Sequence, residues 1–212
     1  NNINDGVSLL QTADGGLDVM YDILVRMREL SVQSGTETYN DSERSLMDTE
    51  WSELVEGLEQ ISAKTSFNTK NLLNSTETLT LQVGINNTAA DRININLGDI
   101  NVTSGASGLN IATVFTTGIG DRSDALDSID DLDSAMLDIS QKRSVIGGYL
   151  NRLDTTLNEA SSHAENLTIT SSRISDADYA VETSLMTRNQ VMFNASTAAL
   201  GQLSSMKASS IT

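Results

Sequence analysis

Proline and cysteine are both missing from this 212-residue chain, histidine occurs once, and aromatic residues make up 4%. Without proline, nothing of that kind interrupts a long helix. Without cysteine there is no disulfide, no zinc–thiolate site and no thiol nucleophile. His163 has no second histidine or cysteine to complete a usual zinc set, and it reads as a surface or seam residue. Cations are also scarce, with 13 Lys and Arg against 29 Asp and Glu, a net charge of -16. The clustered positive charge that binds nucleic acid or an anionic membrane is absent. No apolar run approaches bilayer-spanning length, so membrane insertion is not expected, and none has signal-peptide form.

What the chain does have is a ladder. Ile129, Leu132, Met136, Ile139, Arg143, Ile146, Leu150, Leu153, Leu157, Ala160, Ala164 and Leu167 recur at steps of three and four. Such spacing holds one stripe of a helix against a partner along its whole length. The element would be roughly 60 Å long, too long for the core of a small globule. It reads as a structural rod packed on other helices, with Ile139, Ile146, Leu150, Leu153 and Leu157 as its packing residues. Arg143 is the polar exception; its alkyl stem covers the seam while the guanidinium reaches solvent or a carboxylate.

A first helix is predicted over Ile3–Gln33, where Asp14-Gly15-Gly16 marks a break, a bend or a close helix contact. A second begins at a cap on Asp41 or Ser42 and carries Leu46, Met47, Trp51, Leu54, Val55, Leu58 and Ile61. Together they form an αα-hairpin. After Phe67 the period changes to two: Leu79, Leu81 and Val83, then Ile93, Ile95 and Leu97, form two strands joined across Asn86–Asp91. Another short strand is expected around Ile111–Phe115. The long helix starts near Arg122 and runs to about Leu167 or beyond. A last helical segment follows over roughly Asp176–Met206. The expected fold is mainly α, with long antiparallel helices forming a coiled-coil-like rod and a small β-hairpin-rich region in the middle.

No motif carries bond chemistry. The carboxylates Asp127, Asp130, Asp131, Asp133 and Asp138 lack the glycine and closing glutamate of a calcium loop. The glycine pairs fail the dinucleotide and phosphate-loop patterns. No catalytic, cofactor-binding or metal site is assigned, and the chain is not expected to be an enzyme.

Several ordered strings stand out: Asn4-Asp5-Gly6-Val7-Ser8, Gln11-Thr12-Ala13-Asp14-Gly15-Gly16-Leu17 and Arg26-Met27-Arg28-Glu29-Leu30-Ser31-Val32-Gln33. Near the other end are Leu150-Asn151-Arg152-Leu153-Asp154 and Ser172-Arg173-Ile174-Ser175-Asp176-Ala177-Asp178-Tyr179-Ala180. In this order they resemble bacterial flagellin, and Thr65-Ser66-Phe67-Asn68 with Leu72-Leu73 resembles the entry to that family's β region. The Gly-rich middle matches least.

The resemblance implies a secreted structural subunit that polymerises into the extracellular flagellar filament for motility. Residues 1–175 would be the core rod, with a β region at about 68–120, and 176–212 the C-terminal helix of the filament inner core. By the same comparison the N-terminal partner of that helix, with the secretion segment, would precede Asn1. The implied partners are other flagellin subunits, a flagellar secretion chaperone and a vertebrate innate immune receptor. Leu185, Met192, Phe193 and Leu200 are the implied chaperone or filament-core contacts, and Arg26, Leu30 and Glu50 the implied receptor contacts. Arg173, Asp176 and Asp178 sit where the family turns between two helical regions. Alternative readings are the hook–filament junction protein, which the Arg173–Tyr179 string disfavours, and a secretion cargo held by a chaperone through its last helix.

Overall fold

The computed structural model describes residues 2–98, 100 and 118–209, and within the last stretch the side chains of all but 175–178 and 207–209. Three helices dominate: α1 (Asn2–Ser34), α2 (Asp41–Lys64) and α3 (Arg122–Ser209). Between α2 and α3 lie β1 (Ser66–Phe67), β2 (Lys70–Asn71), β3 (Leu79–Gln82), a 3-10 turn (Ala89–Asp91) and β4 (Arg92–Ile95). The protein is mainly α, with long helices and two small antiparallel hairpins. The strand expected around Ile111–Phe115 lies outside the described residues.

The chain divides into two compact units, residues 1–158 and 159–212. In the first, α1 buries Ile3, Gly6, Leu10, Ala13, Leu17, Met20, Leu24, Met27, Ser31 and Ser34. These alternate in steps of three and four, the heptad rhythm of a helix packed along one seam. The helix continues through Gly15-Gly16. A Cβ on Gly16 would lie 2.8 Å from Thr65 Oγ1, whereas one on Gly15 would touch nothing. The pair therefore marks a close packing contact at Gly16, not a break.

Asn40, one residue before the expected cap, begins α2. Its side chain accepts from Glu43 N at 3.0 Å while Asn40 N donates to Glu43 Oε2 at 2.9 Å, a reciprocal capping box. Arg44, Met47, Trp51, Leu58 and Ser62 form the buried stripe of α2. Leu46, expected in that stripe, is 73% exposed because the inward positions of its turn belong to Arg44 and Met47. At the other end Asn71 Nδ2 donates to the Ser62 and Ala63 carbonyls, closing α2 and starting the β region.

The β1–β2 hairpin turns through Asn68 and Thr69, both in the left-handed region (φ 48° and 67°), as a two-residue type I′ turn requires. In the second hairpin Leu79 pairs with Ile95 and Leu81 with Ile93. That register puts both apolar pairs on one face, and Ile93 and Ile95 are buried in the core. Lys142 Nζ donates to Leu97 O at 2.9 Å, tying this region to α3.

The second unit is helical from Glu159 to Ser209. The turn expected near Arg173–Asp178 is absent, and helix runs through it. The cause is in the sequence: from Tyr149 to Leu200 there is neither glycine nor proline to stop it.

Candidate functional site

Helix α3 meets α1 in antiparallel register. Gly6 faces Leu153, whose Cδ1 lies 3.4 Å from where a Gly6 Cβ would stand. Ser31 faces Ser128, their hydroxyl oxygens 2.9 Å apart. Moving from Gly6 to Ser31 and from Leu153 back to Ser128 covers equal stretches of helix, so no residue is inserted between these levels. Both serines are buried; Ser31 donates to Met27 O, and the one Ser128 proton has two acceptors in reach, Ser31 Oγ across the seam and Ala125 O on its own helix. Ser34 donates to Ile119 O at 2.6 Å. The seam therefore ends in satisfied hydroxyls rather than apolar side chains.

The buried stripe of α3 in this unit is Ala125, Ser128, Leu132, Ala135, Ile139, Ile146 and Leu153. Of the predicted packing residues, Ile139, Ile146 and Leu153 lie in it, while Leu150 and Leu157 are partly buried against the same core. Ile129 and Met136 flank it; Ser128 and Ala135 hold the centre. Where two helices approach closely the middle of the contact takes small residues, and larger ones splay to the side.

Ion pairs line one side of the seam. Arg143 donates to Asp14 Oδ1 at 2.9 Å and to Asp18 Oδ1 at 2.6 Å. Arg28 makes a two-pronged contact with Asp133, Nε to Oδ1 at 2.6 Å and Nη2 to Oδ2 at 3.2 Å. Hydrogen bonding from Arg28 is the main cause holding the Asp133 carboxyl below its ordinary value. Hydrogen bonding to Asp14 is the main cause raising the Arg143 guanidinium above its ordinary value.

On the other side of α1 stand Arg26 and Leu30, with Glu50 of α2, the three residues for which the resemblance implies receptor contact. Arg26 donates to Glu50 Oε1 through Nε at 2.8 Å and Nη2 at 2.6 Å, and through Nη1 to Glu29 Oε2 at 3.2 Å. Both Arg26 and Glu50 are exposed, but Leu30 is 1% exposed and belongs to the core. Nearby, Arg44 is buried and donates to Ser34 O at 2.9 Å and Thr36 O at 3.0 Å, capping the end of α1 with its guanidinium.

Pattern reading missed Ser31, Ser34, Ser128 and Arg44 because it weighs apolar side chains. Continuing the α1 heptad past Met27 through polar residues reaches Ser31 and Ser34.

In the second unit Leu185, Met192, Phe193 and Leu200 are 45%, 56%, 68% and 65% exposed. Leu185 with Met192, and Phe193 with Leu200, repeat at heptad spacing, so two adjacent apolar rows lie bare on that helix. His163 is exposed, and the described residues hold no metal-binding group of His, Cys, Asp and Glu. No described helix is long and apolar enough to cross a membrane.

These features, a heptad-zipped antiparallel pair, a small β appendage and a helix with bare apolar rows, define a helical structural protein. The bacterial flagellin N-terminal helical region matches residues 1–78, and its C-terminal helical region matches 129–211. A flagellin of Halalkalibacterium halodurans is 38% identical over 95% of this chain and 72% of its own length. One of Bacillus subtilis is 34% identical over 95% of this chain and 75% of its own. The crystal structure of Bacillus cereus flagellin superposes with a TM-score of 0.62 at 29% identity, covering 74% of this chain and 86% of that one. The chain belongs to the bacterial flagellin family.

Proposed function

We infer that the chain is a structural subunit that polymerises into the bacterial flagellar filament. The observation that carries this is the mismatch between the two units. The first unit closes its own apolar seam, whereas the second exposes Leu185, Met192, Phe193 and Leu200 at heptad spacing in two adjacent rows. Rows of that kind are stable in water only when another helix covers them. Identical subunits joined by a contact that does not close produce a helical filament. The relatives that support this reading are flagellins and a flagellar filament core protein.

The role is mechanical and performs no bond chemistry. Residues 176–212 would supply the inner-core helix, a shorter piece than the second compact unit, which begins at Glu159. Before export, a chaperone groove would cover Leu185, Met192, Phe193 and Leu200, keeping subunits apart. Once outside the cell the same rows would pack in the filament. The exposed Arg26–Glu50 pair offers a receptor a charged, shaped surface, with Leu30 acting from beneath it by holding α1 against α2.

The test is pelleting of polymer from the full-length subunit and from a Phe193→Asp, Leu200→Asp variant. The variant should stay in the supernatant with the circular dichroism of its first unit intact. Polymer of equal yield from both would overturn the assignment of these rows.

A further inference from the structure

We propose that Met186, Met192 and Met206 make assembly of this chain sensitive to peroxide. Oxidation of their sulfurs to sulfoxides in the free subunit blocks polymerisation, and enzymatic reduction restores it. The proposal rests on the filament reading and adds a chemical control acting on the same rows.

The methionines divide by unit. In the first, Met20, Met27 and Met47 are buried, and Met136 is half-buried against the same core. In the second, Met186, Met192 and Met206 are 68%, 56% and 62% exposed. All three stand in the bare rows: Met186 lies one heptad before Phe193, and Met206 follows Met192 at the same repeat. The chain has no cysteine, so these thioethers are its accessible sulfurs.

The step is an oxygen transfer from hydrogen peroxide. A lone pair on the methionine sulfur attacks one peroxide oxygen, an S–O bond forms and the O–O bond breaks. The leaving hydroxide takes the proton of the transferred oxygen and departs as water. Sulfur is oxidised and the peroxide reduced, and a flexible apolar side chain becomes a polar hydrogen-bond acceptor. On a helix facing water this changes little. In a helix–helix contact the sulfoxide needs a donor, and its row neighbours Leu185, Phe193, Ala199 and Leu200 carry none. The penalty therefore falls on assembly, not on the fold of the free subunit. The buried methionines of the first unit are spared, because peroxide reaches them only when the core opens.

The test treats the full-length subunit with hydrogen peroxide, stops the reaction with catalase and maps oxidation by peptide mass spectrometry. Met186, Met192 and Met206 should gain oxygen about tenfold or more faster than Met20, Met27 and Met47. The subunit concentration at which polymer pellets should rise about tenfold or more, and methionine sulfoxide reductases should bring it back. A Met186→Leu, Met192→Leu, Met206→Leu variant, compared with its own untreated sample, should lose nothing to peroxide. Unchanged polymerisation of the oxidised subunit overturns the proposal. So does a loss that the reductases do not reverse, or one that the leucine variant shares. If that variant forms no polymer untreated, reversal by the reductases in the unsubstituted subunit decides. Absence of polymer from the untreated, unsubstituted subunit defeats the filament reading and this inference together.

Discussion

Asp133 on α3 accepts two hydrogen bonds from the Arg28 guanidinium on α1, joining helices far apart in sequence at one level of the seam. The carboxyl is thereby held below its ordinary value. A carboxylate depressed by folding contributes stability above its unfolded pKa of about 3.9 and loses it as pH falls through the lower folded value. The unfolding midpoint of the wild type should therefore drop more steeply below about pH 4 than that of Asp133→Asn. A difference between the two proteins that does not change with pH would contradict this.

Adjacent glycines should respond with opposite sign. Gly15→Ala places a methyl in open space and should stabilise the helix by about 0.5–1 kcal/mol. Gly16→Ala drives one into Thr65, whose hydroxyl is fixed on Ile61 O at 2.7 Å, and against buried Leu73. That change should cost about 1–3 kcal/mol. Urea denaturation of both variants checks the pair, and equal signs would show that the α1–α2 approach is looser than described.

Leu153 is completely buried opposite Gly6, at the level where the β3–β4 hairpin also meets α1. Leu153→Ala should cost about 2–5 kcal/mol, because rigid helices on both sides cannot close the space. Denaturant midpoints at unchanged slope would report it, and a loss below about 0.5 kcal/mol would remove Leu153 from the seam.

Thr69 holds φ 67°, an uncommon conformation for a β-branched residue. Thr69→Gly relieves the strain at some cost in backbone entropy, for a net gain of about 0.5–1 kcal/mol. A lowered melting temperature would mean that the Thr69 hydroxyl, which donates to Asn68 O, matters more than the strain.

Heptad spacing on α1 and α3 made the long helices legible, and two-residue alternation did the same for the β3–β4 hairpin. The centre of the α3 seam was displaced by one residue, because a pattern of large apolar side chains picks Ile129 and Met136 while close packing selects Ser128 and Ala135. Arg143 showed its role through its position in the ladder, but its partners Asp14 and Asp18 come from the opposite end of the first unit and have no local signal. Leu30 illustrates the remaining gap. Its place in a matching string says nothing of burial, which depends on α2 lying across it. The turn expected at Arg173–Asp178 had no breaker residue behind it, and the helix continues.

Filament formation by the full-length subunit is the most direct measurement. Electron microscopy of the purified subunit, seeded with short filament fragments, should show growth from the fragment ends into long filaments of constant diameter. Persistent folded monomer under the same conditions, with seeds unchanged in length, would contradict the account that this chain is a filament-building subunit.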